Sequence, residues 1–263
     1  MTQILRTSET QAPRRTGHHT GHVTLAGAGP GCADHLTLAV ARALAAADVI
    51  LHDRLVSAEV LALAGPQALV IETGKTGFGA HMPQQEIIAL MLGFAQAGRN
   101  VLRLKSGDPG VFGRLGEELD ALEAAGIGFT VLPGITAASA AAAGLGQSLT
   151  ERGRNRELRL ITGHDVAGFA EADWAGLARP GAVAAIYMGK KAARFLQGRL
   201  MMHGALATTP VTLVENVSRA EERVIATTLA DLPAAAARLE GPAVILFGLA
   251  PRAAAAQSLE AVI

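Results

Sequence analysis

The feature that most constrains the fold is an alternation, from Val23 onward, of short apolar runs with longer segments rich in alanine and leucine. The short runs are rich in valine, isoleucine and leucine, as strands are, whereas the longer segments repeat apolar residues at helical spacing. This alternation predicts an α/β fold. The predicted strands cover residues 23–26, 49–52, 69–73, 101–105 and 129–132, and then 158–162, 183–187, 211–215 and 243–247.

The strands fall into two series, separated by a helix of small residues over 137–143, and this division predicts two domains. We place an N-terminal α/β domain at residues 21–135 and a C-terminal α/β domain at residues 136–253. Arginines among small polar residues in positions 1–20 indicate a mobile tail before the first domain.

The charges of the chain balance, with 23 lysines and arginines against 23 aspartates and glutamates. No excess charge would draw it to nucleic acid or to a lipid surface, and an aromatic content of 3% leaves little for base stacking. No apolar run approaches the roughly 20 residues that span a bilayer, and the N-terminal segment lacks the apolar core of a signal peptide. We therefore expect a cytoplasmic protein with no nucleic-acid or membrane partner.

Residues that bind metals are scarce in suitable groupings. The single cysteine, Cys32, excludes an internal disulfide and a thiolate metal cluster. His18, His19 and His22 cluster near the end of the tail, but no acidic or thiol residue accompanies them to complete a site. We therefore expect no metal cofactor.

The ends of the predicted strands carry the residues with the greatest chemical interest. Ligands of open α/β sheets bind beyond the carboxyl ends of the strands, and glycines there let backbone approach a ligand closely. The strand-end segments of the first half are Gly27-Ala28-Gly29-Pro30-Gly31, Asp53-Arg54, Gly74-Lys75, Ser106-Gly107-Asp108-Pro109-Gly110 and Pro133-Gly134-Ile135-Thr136. These segments predict one ligand site.

The first of these segments, a glycine-rich turn, also fits a dinucleotide-binding loop in which Asp53 would hold a ribose. Two residues weigh against that interpretation. Cys32 stands where the pattern requires glycine or alanine, and Pro30 removes a backbone N–H from the stretch that should face pyrophosphate. An NAD-dependent oxidoreductase remains the alternative from another class, followed by a non-catalytic ligand-binding module.

Longer motifs around these loops resemble those of the tetrapyrrole methylases, and within that family those of the branch that acts on uroporphyrinogen III. The resemblance extends from about Val23 to Gly248, and it depends on the order and spacing of the motifs together. Beyond the glycine-rich turn, the matching segments include Asp53-Arg54-Leu55-Val56-Ser57, Pro83-Gln84-Gln85-Glu86-Ile87, Arg103-Leu104-Lys105-Ser106-Gly107-Asp108-Pro109, Pro133-Gly134-Ile135-Thr136-Ala137, Thr162-Gly163-His164, Tyr187-Met188-Gly189 and Val214-Glu215-Asn216.

The resemblance implies two α/β domains of the tetrapyrrole methylase type, with the active site in the cleft between them, and a homodimer. It implies methylation of uroporphyrinogen III at C2 and C7, giving precorrin-2 by way of precorrin-1, on the route to sirohaem or cobalamin. The methyl donor would be S-adenosyl-L-methionine, with S-adenosyl-L-homocysteine as product. Methylation of a later corrin intermediate is the alternative within the family.

The resemblance also carries roles to individual residues. Asp53 and Lys75 correspond to the proton acceptor and donor, although Asp53 could instead pair with Arg54, and Lys75 could simply bind a carboxylate. Arg54, Arg114 and Arg152 are the candidates for binding the acidic substrate, because arginine binds carboxylates bidentately. The positions that correspond to cofactor contacts are Pro30, Ser106, Gly107, Asp108, Val111, Thr136, Ala137 and Met188.

Some positions depart from the family pattern. Ser106 stands where glycine is usual, Glu151 replaces a histidine, and Thr227 falls where a glycine cofactor contact is expected. A carboxylate at position 151 would repel an anionic substrate if it faced the cleft. We therefore expect Glu151 to point away from the cleft or to pair with Arg154.

Overall fold

The computed structural model describes residues 20–74, 82–166 and 168–252. The predicted tail, apart from its last residue, lies outside these ranges, and so does Lys75. No helix within these ranges is long and apolar enough to cross a membrane.

The first half of the chain forms a five-stranded sheet in which all pairs of neighbours are parallel. Its order is β3-β2-β4-β1-β5, so all the carboxyl ends of the strands lie along one edge. The strands are β1 (Val23–Gly27), β2 (Val49–His52), β3 (Leu69–Glu72), β4 (Val101–Lys105) and β5 (Phe129–Leu132).

Helices cover both faces of this sheet, as a parallel sheet requires. Those of the first half are α1 (Leu38–Ala46), α2 (Ala58–Leu61), α3 (Gln84–Gln96) and α4 (Leu115–Ala124). Leu102 and Leu104 of β4 pack with α1 and α2, while Val101 of the same strand packs with α3 and α4 on the opposite face. Arg103 and Lys105 therefore also point toward α3 and α4, because alternate residues of a strand share a face.

The second half forms a mixed sheet in the order β11-β10-β12-β9-β6. Only the pairing of β6 with β9 is parallel. Its strands are β6 (Arg159–Thr162), β9 (Ala184–Tyr187), β10 (Pro210–Glu215), β11 (Arg223–Thr228) and β12 (Ala243–Phe247). A short hairpin, β7 (His164–Asp165) with β8 (Gly168–Phe169), lies between β6 and β9 in the chain.

Two apolar cores cover the second sheet. On one face, Val244 and Leu246 of β12 pack against α5 (Ala137–Gly144), whose small side chains permit a close approach. On the other face, Ile245 and Phe247 pack against the remaining helices. These are α6 (Trp174–Leu177), α7 (Ala193–Met202) and α8 (Leu232–Ala237).

The predicted α/β fold is confirmed, and each of the nine predicted strands is present with ends within one residue of the prediction. The two-residue strands β7 and β8 were not predicted, and neither was the longer strand β11. It forms one edge of its sheet, and its half-exposed residues, including two threonines and an arginine, lack the apolar run that marks the other strands. The boundary between the domains, at residues 135 and 136, stays a prediction.

Candidate functional site

A cavity of about 660 Å³ lies where the strand-end loops of the two sheets meet. We call the residues contributed by the first five strands and their loops the first-sheet wall; they are residues 30, 53, 55, 106–108, 111–113 and 136–137. The second-sheet wall consists of residues 164, 187, 188, 190, 191, 216, 217, 219 and 241–244. The site therefore draws on distant parts of the sequence that the two sheets bring together.

Close backbone packing fixes the first-sheet wall. Gly29 and Gly107 exchange two backbone hydrogen bonds, of 3.1 and 2.7 Å, so that the loops after β1 and β4 pair directly. Gly27 has no room for a side chain, since a Cβ there would lie 2.5 Å from the carbonyl oxygen of Gly107 and 2.6 Å from the nitrogen of Gly134. Glycine is needed here because three strand ends pack backbone against backbone.

Asp108 joins two of these loops. Its Oδ1 accepts a hydrogen bond from the backbone N–H of Gly110 at 2.8 Å, and its Oδ2 accepts one from the N–H of Gly134 at 2.9 Å. The carboxylate thus ties the loop after β4 to the loop after β5 at the cavity surface.

Asp53 is the exposed end of a buried network of charges. Arg103 Nη2 donates to Asp53 Oδ1 at 2.5 Å, and Arg103 Nε donates to Glu118 Oε1 at 2.9 Å. Glu118, which is completely buried on α4, also accepts from Lys105 Nζ at 2.8 Å and from Gln84 at 3.0 Å. Two cations and two carboxylates therefore compensate each other behind the wall, with only Asp53 facing the cavity.

The pKa values of the two buried cations move in opposite directions. Burial disfavours the charged form of Arg103, but the Asp53 and Glu118 carboxylates outweigh that effect and raise its pKa. Burial and the neighbouring Arg103 lower the pKa of Lys105, against the attraction of Glu118. The guanidinium of Arg103 is therefore the stable positive charge that holds Asp53.

The family model of the tetrapyrrole (corrin/porphyrin) methylases matches residues 22–233. The chain belongs to this family. The resemblance on which the predicted site rests is therefore confirmed at the level of the family.

Individual relatives agree with the family match. The chain is 46% identical to a siroheme synthase of Edwardsiella ictaluri over 228 residues, which are 87% of this chain and 49% of that protein. It is 44% identical to siroheme synthase 3 of Aeromonas hydrophila, again over 87% of this chain and 49% of the relative. The chain spans about half the length of the curated relatives that it matches.

Solved structures match over nearly their whole length. A uroporphyrin-III C-methyl transferase from Thermus thermophilus, complexed with S-adenyl homocysteine, superposes with a TM-score of 0.74 at 34% identity, covering 87% of this chain and 97% of that one. A cobalt precorrin-4 methyltransferase superposes with a TM-score of 0.78 at 27% identity, covering 91% and 98%. The two-sheet architecture is thus that of the tetrapyrrole methylases.

In this tetrapyrrole methylase, the eight residues predicted to contact the cofactor all line the cavity. They are Pro30, Ser106, Gly107, Asp108, Val111, Thr136, Ala137 and Met188. Met188 alone comes from the second-sheet wall, where its backbone is left-handed (φ 53°) and the residue is 52% exposed. The folding of the chain therefore brings all the positions predicted to contact the cofactor into one cavity, while the contacts themselves stay predictions.

The arginines predicted to bind the substrate lie elsewhere. Arg54, Arg114 and Arg152 are all exposed, and none of them lines the cavity. Arg114 forms a bidentate pair with Glu117, with distances of 2.8 and 2.7 Å, and this partner raises its pKa. The predicted pairing of Glu151 with Arg154 is confirmed, at 2.9 Å.

The motifs alone did not identify the partner of Asp53, which is Arg103 rather than Arg54. A signal was present, because Arg103 and Lys105 sit two positions apart in an otherwise apolar run and must share one face of a strand. Buried cations require carboxylates nearby. The motifs also gave no indication of the cations of the second-sheet wall, which are Lys190, Lys191 and Arg219. Among the residues that the structure describes, no group of histidine, cysteine and acidic side chains could hold a metal ion.

Proposed function

We propose that this chain transfers methyl groups from S-adenosylmethionine to uroporphyrinogen III, at C2 and C7, and so forms precorrin-2 by way of precorrin-1. The observation that carries the proposal is the cavity, whose lining combines Asp53 with all the positions predicted to contact the cofactor. Family membership supports a tetrapyrrole as the substrate class. The Thermus thermophilus enzyme, a uroporphyrin-III C-methyl transferase complexed with S-adenyl homocysteine, supports this choice of cofactor and substrate.

We assign the cofactor mainly to the first-sheet wall. Gly107 has a left-handed backbone (φ 68°) and open space where a side chain would lie, so a ligand can approach the backbone of this loop closely. Pro30 lacks an N–H, which a pyrophosphate would need but S-adenosylmethionine, having no phosphate, does not. When bound, S-adenosylmethionine supplies the methyl group. The protein's task is to align donor and acceptor, because methyl transfer to carbon is an in-line displacement.

We assign proton removal to Asp53. After the pyrrole carbon has accepted the methyl group, the ring must lose a proton to a base within hydrogen-bond reach. Arg103 holds Oδ1 of Asp53 and thereby fixes the carboxylate at the cavity wall. Lys75, the predicted proton donor, lies outside the described residues and keeps that role as a proposal.

The proposal covers methylation alone, since the curated relatives are about twice as long as the matching segment. S-Adenosylhomocysteine as product, a homodimeric state and a cytoplasmic location belong to it as expectations.

The decisive experiment is anaerobic incubation of the full chain with S-adenosylmethionine and uroporphyrinogen III, followed by mass spectrometry of the tetrapyrrole. We expect a product that has gained two methyl groups, with a singly methylated intermediate at early times. No gain of mass on this substrate, with methylation of a later corrin intermediate in a parallel reaction, would replace the proposed substrate by the alternative within the family.

The role of Asp53 is tested by Asp53→Asn, which keeps the size of the side chain and an acceptor for Arg103. We expect kcat to fall by about 10²–10⁴-fold, the usual contribution of a general base, with binding of S-adenosylhomocysteine unchanged. Asp120→Asn, on the exposed surface of α4, is the matched control and should keep full activity. Full activity of Asp53→Asn would contradict the assignment.

A further inference from the structure

The two walls of the cavity differ in how their charges are compensated. On the first-sheet wall, Asp53 is paired with Arg103, and both oxygens of Asp108 accept backbone N–H groups. On the second-sheet wall, Lys190, Lys191 and Arg219 line the same cavity. Within the described ranges, none of these three cations forms an ion pair with a carboxylate.

The two lysines occupy an unfavourable position for positive charge. They follow β9 by way of Met188 and Gly189, and they come immediately before α7, whose first residue is Ala193. The N-terminal end of a helix repels cations, because the helix dipole is positive there. A Cβ at Gly189 would lie 2.8 Å from Ile245 Cδ1, so the turn packs closely on the side chains beneath it. The turn places the two lysines beside the cavity.

Arg219 is held between the two walls. It lies in the loop between β10 and β11, where Asn216 and Ser218 both have left-handed backbone (φ 52° and 60°). Strained residues of this kind concentrate at ligand sites. The side chain of Arg219 donates from Nη2 to the carbonyl oxygen of Leu55 and packs over Gly31, where a Cβ would lie 2.5 Å from Arg219 Cγ.

One donor of Arg219 is unused. Its Nε is buried and has no hydrogen-bond partner among the described residues. A buried N–H without an acceptor is costly, so the protein by itself leaves the guanidinium of Arg219 incompletely hydrogen-bonded beside the cavity.

The two substrates differ in charge, and this difference indicates which of them the second-sheet wall would bind. S-Adenosylmethionine carries a carboxylate, an ammonium and a sulfonium, so its net charge is positive and three nearby cations would repel it. A tetrapyrrole that bears several carboxylates would instead neutralise the three cations. We infer that Lys190, Lys191 and Arg219 form a carboxylate-binding site for the acidic tetrapyrrole on the second-sheet wall. This inference rests on the proposed function and names residues that recognise its substrate.

The test is to measure, on the full chain, the binding of uroporphyrin III and separately of S-adenosylmethionine. The variants are the double substitution Lys190→Gln with Lys191→Gln, and the single substitution Arg219→Gln. We expect each variant to weaken porphyrin binding by about tenfold or more, as the loss of a charge-assisted hydrogen bond would. Raised salt should narrow the difference in porphyrin affinity between the wild type and each variant. Binding of S-adenosylmethionine by the lysine variant should be unchanged or tighter.

Arg238→Gln is the control, since Arg238 is exposed at the end of α8 and does not line the cavity. Unchanged porphyrin binding by the lysine variant and by Arg219→Gln would overturn this inference but not the proposed function. Weaker binding of S-adenosylmethionine with unchanged porphyrin binding would also overturn it, because the cations would then serve the carboxylate of the cofactor. A wild-type chain that binds no uroporphyrin III would contradict the proposed substrate itself, and the inference with it.

Discussion

The first-sheet wall and the second-sheet wall of the cavity are built on different principles. The first is formed by parallel strands whose glycine-rich ends pack backbone against backbone, and its charges are compensated before any ligand binds. The second follows the ends of a mixed sheet and carries three cations without carboxylate partners in the described structure. The contrast indicates that the first-sheet wall fixes the shape of the site, whereas the second-sheet wall supplies charge for binding.

The compensated network has a structural cost and a structural use. Removing charges from water is expensive, and a buried ion pair recovers that cost only with good geometry and additional hydrogen bonds. Glu118 meets this condition with three donors, from Arg103, Lys105 and Gln84. Through Arg103 it reaches Asp53, so a residue on α4 helps to orient the proposed proton acceptor.

The largest expected effect comes from breaking this compensation with Glu118→Gln. Two buried cations would then share one remaining carboxylate, and removal of one partner from a buried pair costs about 3–5 kcal/mol. We expect a loss of that size in the free energy of unfolding, measured by urea denaturation. Glu117→Gln is the matched control, because Glu117 lies next in sequence and pairs with Arg114 on the surface.

We expect only a small change from Glu117→Gln, since exposed ion pairs contribute little. Equal losses in the two variants would show that burial of the network does not decide its contribution, and the contrast between the walls would lose its energetic basis.

The next effect concerns the backbone packing of the first-sheet wall. Gly27→Ala would force a Cβ to 2.5 Å from the carbonyl oxygen of Gly107, so backbone must move. We expect a loss of about 1–3 kcal/mol in the free energy of unfolding, together with weaker binding of S-adenosylhomocysteine. Gly93→Ala is the control: it is exposed within α3 with open space around it, and alanine there should stabilise by about 0.5–1 kcal/mol. Normal cofactor binding by Gly27→Ala would indicate a more adaptable wall than we describe.

The smallest expected effect is a dependence of stability on pH that originates at Lys105. Because burial lowers the pKa of Lys105 in the folded chain, the unfolded chain binds more protons between that lowered pKa and the ordinary value of 10.5. The free energy of unfolding should therefore gain a contribution that grows as the pH rises through this window. Urea denaturation at pH 8 and pH 10 should show this gain in the wild type but not in Lys105→Met. An equal gain in both would place its origin elsewhere.

The apolar runs predicted the fold well because each strand of the core is a continuous stretch of sequence. Val101 and Leu102 pack on opposite faces of one sheet, yet both belong to a run that is visible without any structure. Strand β11 was not predicted, because its pairing with β10 stabilises residues whose own apolar pattern is weak. Such a strand depends on its neighbour more than on its composition.

In the candidate site too, features of continuous segments were predicted and pairings between distant residues were not. The motif loops, from Pro30 to Met188, indicated the cavity because strand ends of a parallel sheet necessarily meet at one edge. The charges were harder to assign, because whether an arginine faces a cavity, a neighbour or solvent depends on where its loop lies in space. Arg114 therefore proved to pair with Glu117, while Arg219 lines the cavity from the loop between β10 and β11.

The sequence by itself determined the alternation of strands and helices, the family, and the loops that gather around the cavity. All of these are properties of continuous segments, whose apolar periodicity and glycine content act locally. The tertiary structure alone decided that Asp53 is held by Arg103, that Glu118 completes the network, and that the cations of the second-sheet wall have no carboxylate partners within the described ranges. Pairings of this kind join residues far apart in the chain, and electrostatic energy depends on distance and burial, which only the folded chain defines.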